Sequence, residues 1–284
     1  MSKTMKKAVV TGGTGGIGLA VARSLAAAGY EVTVVGRDET RGAAAAKEID
    51  GRFLRADLSL LTEVRALAAR LAGEGPLDLL VTNVGGMWVR PWTTAEGLDG
   101  VFTLNHLSPL VLTENLVDSL APGGRVVAVT SASIGSLPLA GELEYRETRV
   151  AGDYYGMPAS GRAKLAHLAY VLDLADRLAG RGVTVLAADP RHAATPNAAE
   201  MTPEIVPPAL RPHWDDIMLG VQTPPEVAAD PIIWAATNPD LAGRGGLVVG
   251  LDREPADALV QPLTPALREA AALLTARTLA VALR

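Results

Sequence analysis

The glycine-rich segment Thr11-Gly12-Gly13-Thr14-Gly15-Gly16-Ile17-Gly18 constrains this chain more than any other stretch. It follows the apolar, β-branched run Lys6–Thr11 and opens an Ala/Leu-rich helical pattern over residues 16–28. A strand that enters a helix through several glycines needs backbone conformations and close approaches that a Cβ would block. The first N–H groups of that helix, at its positive dipole end, then face the space the glycines leave open, an arrangement suited to a pyrophosphate. A glycine motif alone is weak, and its structural alternative is a plain tight turn. Here the strand before it and the helix after it are both present.

The same alternation runs on. Strands are predicted at 31–35, Arg52–Arg55, 78–82, 125–130, 183–188 and 247–249. Helices are predicted at Glu39–Glu48, 60–71, within 98–120, at 158–179 and near 265–283. This order specifies an α/β chain: a Rossmann-like, doubly wound parallel sheet with helices on both faces. The strands are continuous apolar runs, as expected when both faces are covered. Two segments break the rhythm, a polar one at 136–157 and a proline-rich one at 192–225. Long excursions after strand ends form the substrate side of a cleft. With no repeat and no linker, residues 1–284 are expected to form a single domain.

Composition removes several function classes. Net charge is -5, and no basic block follows the short start at 3–7, so no nucleic-acid partner is expected. The absence of cysteine excludes disulfides, thiolate nucleophiles and cysteine-bound metals, and no metal site is expected. The first apolar run, 8–10, is too short for a signal-peptide core or a membrane span. The expectation is a cytoplasmic protein with a small-molecule substrate and no membrane partner.

The spacing Thr-Gly-x-x-x-Gly-Ile-Gly resembles that of the short-chain dehydrogenase/reductase family, and further segments extend the likeness over nearly the whole chain. Asp57-Leu58 follows the third strand, and Asn83-Val84-Gly85-Gly86 ends the fourth. Phe102-Thr103-Leu104-Asn105-His106-Leu107 resembles the family's helix with an active-site Asn, and Val127-Ala128-Val129-Thr130-Ser131 its strand with a catalytic Ser. Pro190 to Thr195 resembles the segment beside the nicotinamide. The Asn-His-Leu helix and the long Ser-to-Lys interval are most similar to the retinol-dehydrogenase-like branch.

The resemblance implies an oxidoreductase acting on a carbonyl or alcohol of a small, apolar or polycyclic metabolite. It implies cofactor contacts at Gly12, Thr14, Gly16, Ile17, Gly18, Asp57, Leu58, Asn83, Gly85, Lys164, Pro190 and Thr195. It also implies a homo-oligomer paired through the helices within 98–120 and at 158–179. The second strand ends Val34-Val35-Gly36-Arg37-Asp38. A carboxylate at such a strand end holds the ribose hydroxyls of NAD(H). Arg37 there can instead pair with a 2′-phosphate, so NADP(H) is expected over NAD(H), with the adjacent Asp38 opposing the assignment.

The family works with Asn, Ser, Tyr and Lys, the last two four apart on one helix face. Asn105, Ser131 and Lys164 match, but Ser160 stands where the resemblance implies the Tyr. An alkyl hydroxyl is far less acidic than a phenol, which titrates near about 10. Water or the substrate itself could relay protons to Lys164, or Tyr154 or Tyr155 could swing in. Otherwise the chain is a non-redox catalyst (a dehydratase, cyclase or epimerase) or a cofactor-binding pseudoenzyme. Arg191 replaces the family's Gly after Pro190 and is followed by His192; both could face substrate, or His192 is an exposed loop residue. His167 is expected to pack the helix. Trp88 and Trp92 line an apolar pocket or pack their loop. A Ser160/Lys164 hydrolase is disfavoured, because the cofactor ribose claims Lys164 and no oxyanion-hole motif accompanies the pair.

Overall fold

Strand β1 (Lys6–Thr11) runs into helix α1 (Gly16–Ala27), and the unit repeats. It recurs as β2 (Tyr30–Gly36) with α2 (Glu39–Glu48), β3 (Arg52–Arg55) with α3 (Leu61–Ala72), and β4 (Leu77–Thr82) with a broken helix, α4. Helix α4 joins Gly100–Phe102, a π-helical turn at Thr103–Leu107, and Ser108–Leu116. There follow β5 (Leu120–Val129), α5 (Gly156–Leu178), β6 (Thr184–Ala188), α6 (Asp230–Thr237), β7 (Val248–Val249) and α7 (Pro265–Ala282). This computed structural model describes residues 5–139, 145–149, 152–190 and 192–282.

The strands form one parallel sheet in the order β3-β2-β1-β4-β5-β6-β7. The winding reverses between β1 and β4, which opens a crevice beyond their C-terminal ends. Successive strand residues feed two separate cores. Val9, Val35, Leu80, Val126 and Val185 pack with α3, α4, α5 and α7. Val10, Val34, Val81, Val127 and Leu186 pack with α1, α2 and α6. Burial on both faces is why the strands read as unbroken apolar runs.

Two elements differ from the sequence-based expectation. Strand β5 starts at Leu120, which pairs with Leu77 before the register shifts toward Leu79 and Arg125. Helix α4 lies within 98–120, as expected, but is broken by a π turn that carries Asn105, whose Nδ2 donates to the Val101 carbonyl at 2.9 Å. The proline-rich segment is a chain of short helical turns, Pro196–Ala199, Pro203–Ile205, Pro208–His213 and Trp214–Gly220. Part of the expected substrate-side segment 136–157 lies outside the described residues.

Helix α5 is covered nearly all round. Over residues 156–169 every position is buried except the half-buried Ala159. Helix α7 supplies much of that cover through Ala271, Leu274 and Thr275. Thr275 Oγ1 lies 2.7 Å from His106 Nε2 on α4, and Arg268 pairs with Asp173 on α5. Among the described residues no helix is long and apolar enough to cross a membrane.

Candidate active site

The glycine turn is held in shape from β4. Asn83 Nδ2 donates to the Thr11 carbonyl at 3.0 Å, while the N–H groups of Asn83 and Val84 donate to Thr11 Oγ1 at 3.0 and 3.1 Å. Gly12 is left-handed, with φ of 64°, and a Cβ there would stand 2.9 Å from Asn83 Nδ2. A Cβ at Gly18 would stand 2.2 Å from the Gly12 carbonyl oxygen. Helix α1 begins at Gly16, its N-cap residue Gly15 offers no side-chain cap, and its first turn has no acidic residue. Its first N–H groups thus remain for an anion. A cradle that excludes side chains and presents uncapped amides fits a dinucleotide pyrophosphate.

One side of the turn opens into a cleft of about 550 Å³ lined by Gly36, Arg37, Asp57 and Leu58. Gly36 must lack a side chain because Thr14 Cγ2 would lie 2.8 Å from its Cβ. Arg41 lines the same cleft and was missed by sequence reasoning, although it stands one helical turn after Arg37. Asp38 does not line it. Its carboxylate caps α2, accepting the Arg41 N–H at 2.9 Å and pairing with the Arg41 guanidinium at 3.4 Å. The Arg41 N–H holds that carboxyl below the usual range. Asp57 is oriented by Ser59, whose N–H and hydroxyl donate to it at 2.9 and 2.7 Å.

The other side is a cleft of about 390 Å³ that shares Gly12, Thr14, Val84 and Met87 with the first. It is lined by Ser131, Ser160, Lys164 and His192, together with Gly16, Ile17, Gly18, Asn83, Gly85 and Thr195. Lys164 Nζ donates to the Val129 carbonyl at 2.7 Å. Burial brings that ammonium down to about 8, with Asp189 opposing the shift. The Ser131 hydroxyl accepts the Ser133 N–H at 3.1 Å. Helix α5 seats closely here because a Cβ at Gly161 would stand 2.3 Å from the Ser133 carbonyl.

Asn105 lines neither cleft. It is fully buried and clamps Gly86, accepting its N–H at 3.0 Å and donating to its carbonyl at 2.9 Å. A Cβ at Gly85 would stand 2.5 Å from Asn105 Oδ1 and 3.0 Å from Lys164 Nζ. Asn105 therefore shapes the turn against which Lys164 lies. Pro190 is buried and lines neither cleft, and Arg191 lies outside the described residues. Thr195 meets Gly16, whose Cβ would stand 3.1 Å from Thr195 Cγ2.

Among the described residues neither Tyr154 nor Tyr155 lines a cleft. The Tyr154 hydroxyl donates to the Trp88 carbonyl at 3.1 Å, and burial pushes it up to about 12. His167 packs inside, stacked on Tyr170 with ring centroids 5.6 Å apart and edge-on to His106 at 5.8 Å. Trp88 and Trp92 meet edge-on at 5.5 Å, and both line the larger cleft beside Met87, Leu104, Met201 and Ile205. No sequence signal marked that methionine and isoleucine wall, because its members come from distant segments.

Residues 6–205 match the short chain dehydrogenase family. Retinol dehydrogenase 12 from Mus musculus is 35% identical over 193 residues, which are 65% of this chain and 60% of that protein. The chain thus spans about three fifths of that relative's length. Polyprenol dehydrogenase from Danio rerio is 33% identical over 258 residues, 85% of this chain and 77% of that protein. Among solved structures, a short chain dehydrogenase from Burkholderia cenocepacia J2315 in complex with NADP is 25% identical. It superposes with a TM-score of 0.66, covering 87% of this chain and 96% of that one.

Proposed function

This chain belongs to the short-chain dehydrogenase family, and we propose that it is an NADP(H)-dependent oxidoreductase acting on a carbonyl or alcohol of an apolar small molecule. The observation that carries this is the meeting of Ser131, Ser160 and Lys164 in the cleft into which the glycine turn opens. The turn from Gly12 to Gly18, with the start of α1, would hold the pyrophosphate. Arg37 and Arg41 would hold a 2′-phosphate, Asp57 and Leu58 the adenine, and Lys164 with Asn83 and Gly85 the nicotinamide riboside. When bound, the cofactor supplies or accepts a hydride.

The chain's own residues do the rest. Ser131, its oxygen anchored by the Ser133 N–H, keeps its hydroxyl proton for the substrate oxygen. Lys164 places a positive charge at the same end, which stabilises negative charge developing on that oxygen. Asn105 is a positioning residue that fixes Gly85 and Gly86. Met87, Trp88, Trp92, Leu104, Met201 and Ile205 exclude water and favour an apolar substrate. The likeness to enzymes named for retinol and polyprenol supports an isoprenoid-like alcohol or aldehyde.

Ser160 favours a second reading, in which a dehydratase, cyclase or epimerase, or a cofactor-binding pseudoenzyme, has kept the fold without hydride chemistry. NADPH absorbance in the presence of all-trans-retinal, a short polyprenal and a polar ketone separates the two. The proposal expects consumption with the apolar aldehydes above that with the polar ketone. Tight NADPH binding with no consumption by any carbonyl would favour the second reading.

A further inference from the structure

Reduction of a carbonyl needs a proton at oxygen as well as a hydride at carbon, and Ser160 cannot release one near neutral pH. The ionisable side chains among the described residues lining the reactive cleft are Arg41, Lys164 and His192. A guanidinium does not deprotonate in this range. Lys164 is turned to the Val129 carbonyl and abuts Gly85, with Asp189 close enough to act on its charge. Imidazole is the side chain whose ordinary charge change falls between about pH 5 and 8.

The seat of His192 is built. A Cβ on Gly220 would stand 3.0 Å from His192 Nδ1, so the ring packs closely against the backbone of that glycine. The two segments are tied together, since Ala194 N–H donates to the Thr223 carbonyl at 2.8 Å and Thr223 Oγ1 donates to the Gly220 carbonyl at 2.9 Å. The loop that follows β6 is thereby held over the cleft that contains Ser131 and Ser160.

We infer that His192 is the proton donor of this site, standing in for a phenol that the chain lacks at position 160. The inference rests on the oxidoreductase function proposed above. In reduction, a C–H bond forms at the carbonyl carbon with the hydride of the reduced cofactor. The carbonyl π pair takes the proton of the His192 imidazolium, leaving an alcohol, a neutral imidazole and oxidised cofactor. Solvent then reprotonates the ring, and oxidation of an alcohol runs the same steps in reverse. The truncated Ser160 leaves the room in which substrate oxygen and imidazole meet.

The test begins with fluorescence titration of NADPH and NADP⁺, which establishes cofactor binding on its own. Histidines labelled with ¹³C at Cε1 are then titrated by NMR in both saturated complexes, with His192→Gln and His213→Gln assigning the signals. The oxidised nicotinamide carries a positive charge that the reduced ring lacks. A ring facing it should titrate lower in the NADP⁺ complex, by on the order of half a pH unit or more. Identical His192 titrations in the two complexes would overturn the inference without any substrate. With all-trans-retinal or a short polyprenal, His192→Ala should lose about a hundred- to ten-thousandfold in kcat, with KM held and activity partly restored by added imidazole. Unchanged kcat in His192→Ala would also overturn it. Absence of turnover in the wild type, with cofactor bound and the titrations distinct, would instead count against the reductase function while supporting the placement of His192.

Discussion

Cofactor choice is the most exposed consequence of the site, and Arg37→Asp is the perturbation that probes it. Gly36, Arg37 and Arg41 line the cleft at the end of β2, while the neighbouring carboxylate of Asp38 is spent on capping α2 and pairing with Arg41. Two guanidiniums therefore line the end of β2, that of Arg41 already paired with Asp38. A hydrogen bond to a charged group contributes about 1.5–3 kcal/mol. Both arginines are exposed in the free chain, so the lower end applies, about tenfold in affinity for each. Wild type should bind NADPH at least tenfold more tightly than NADH, with the gap narrowing as salt rises. Arg37→Asp removes one contact and adds a repelling charge, so its NADPH affinity should fall by tenfold or more while NADH binding stays or improves. Asp38→Asn should loosen the start of α2 without turning the preference toward NADH. Fluorescence titration of both cofactors against the three proteins decides it. Equal wild-type affinities, or an unchanged NADPH/NADH ratio in Arg37→Asp, would refute the electrostatic reasoning.

Gly18→Ala should abolish cofactor binding while leaving the chain folded, because its methyl would meet the Gly12 carbonyl oxygen at 2.2 Å and distort the turn; retained binding in the same titration would count against the turn as the pyrophosphate site. His167→Leu should stabilise the protein by roughly 1–3 kcal/mol in chemical denaturation, because both ring nitrogens are buried without a partner among the described residues. That gain should grow on acidification, since burial holds His106 down to about 3 and His167 well below its ordinary value, so both rings stay neutral in the fold while the unfolded chain takes up protons. Stability is then lost as pH falls below about 6.5, at up to about 1.4 kcal/mol per pH unit for each ring, and not above it; an equal acid slope in wild type and His167→Leu would contradict this. Ser160→Tyr should lower turnover of apolar aldehydes, because the phenol fills the room in which substrate oxygen and the His192 ring meet, with NADPH affinity and melting temperature kept; unchanged turnover would count against that placement.

What could be read from the sequence and what could not divide by the range of the interactions involved. The βα alternation is written locally, because the strand interiors feed two cores and read as apolar runs, whereas of the turn's glycines only Gly18 answers a demand within the turn itself, the Gly12 carbonyl, while Gly12 and Gly16 make way for the distant Asn83 and Thr195. The Asn83 staple and the Asn105 clamp were legible only as motif positions. Their work is done on backbone of other segments, Thr11 and Gly86, which no spacing rule reveals. The packing of α7 on α4 and α5 rests on contacts far apart in sequence, His106 with Thr275 and Asp173 with Arg268, which no helical periodicity reveals. The substitution at position 160 follows the same division. The proposed absence of a phenol at Ser160 is read only from its four-residue spacing to Lys164 on one helix. The group proposed to answer it comes from the loop after β6, which lies against Gly220 and is tied to Thr223 by the Ala194 N–H. A loss that is local in sequence is thus met by a compensation that is local only in space, and the two change places independently: altering Gly220 should disturb the proton donor while leaving Ser160, Lys164 and the glycine turn where they are.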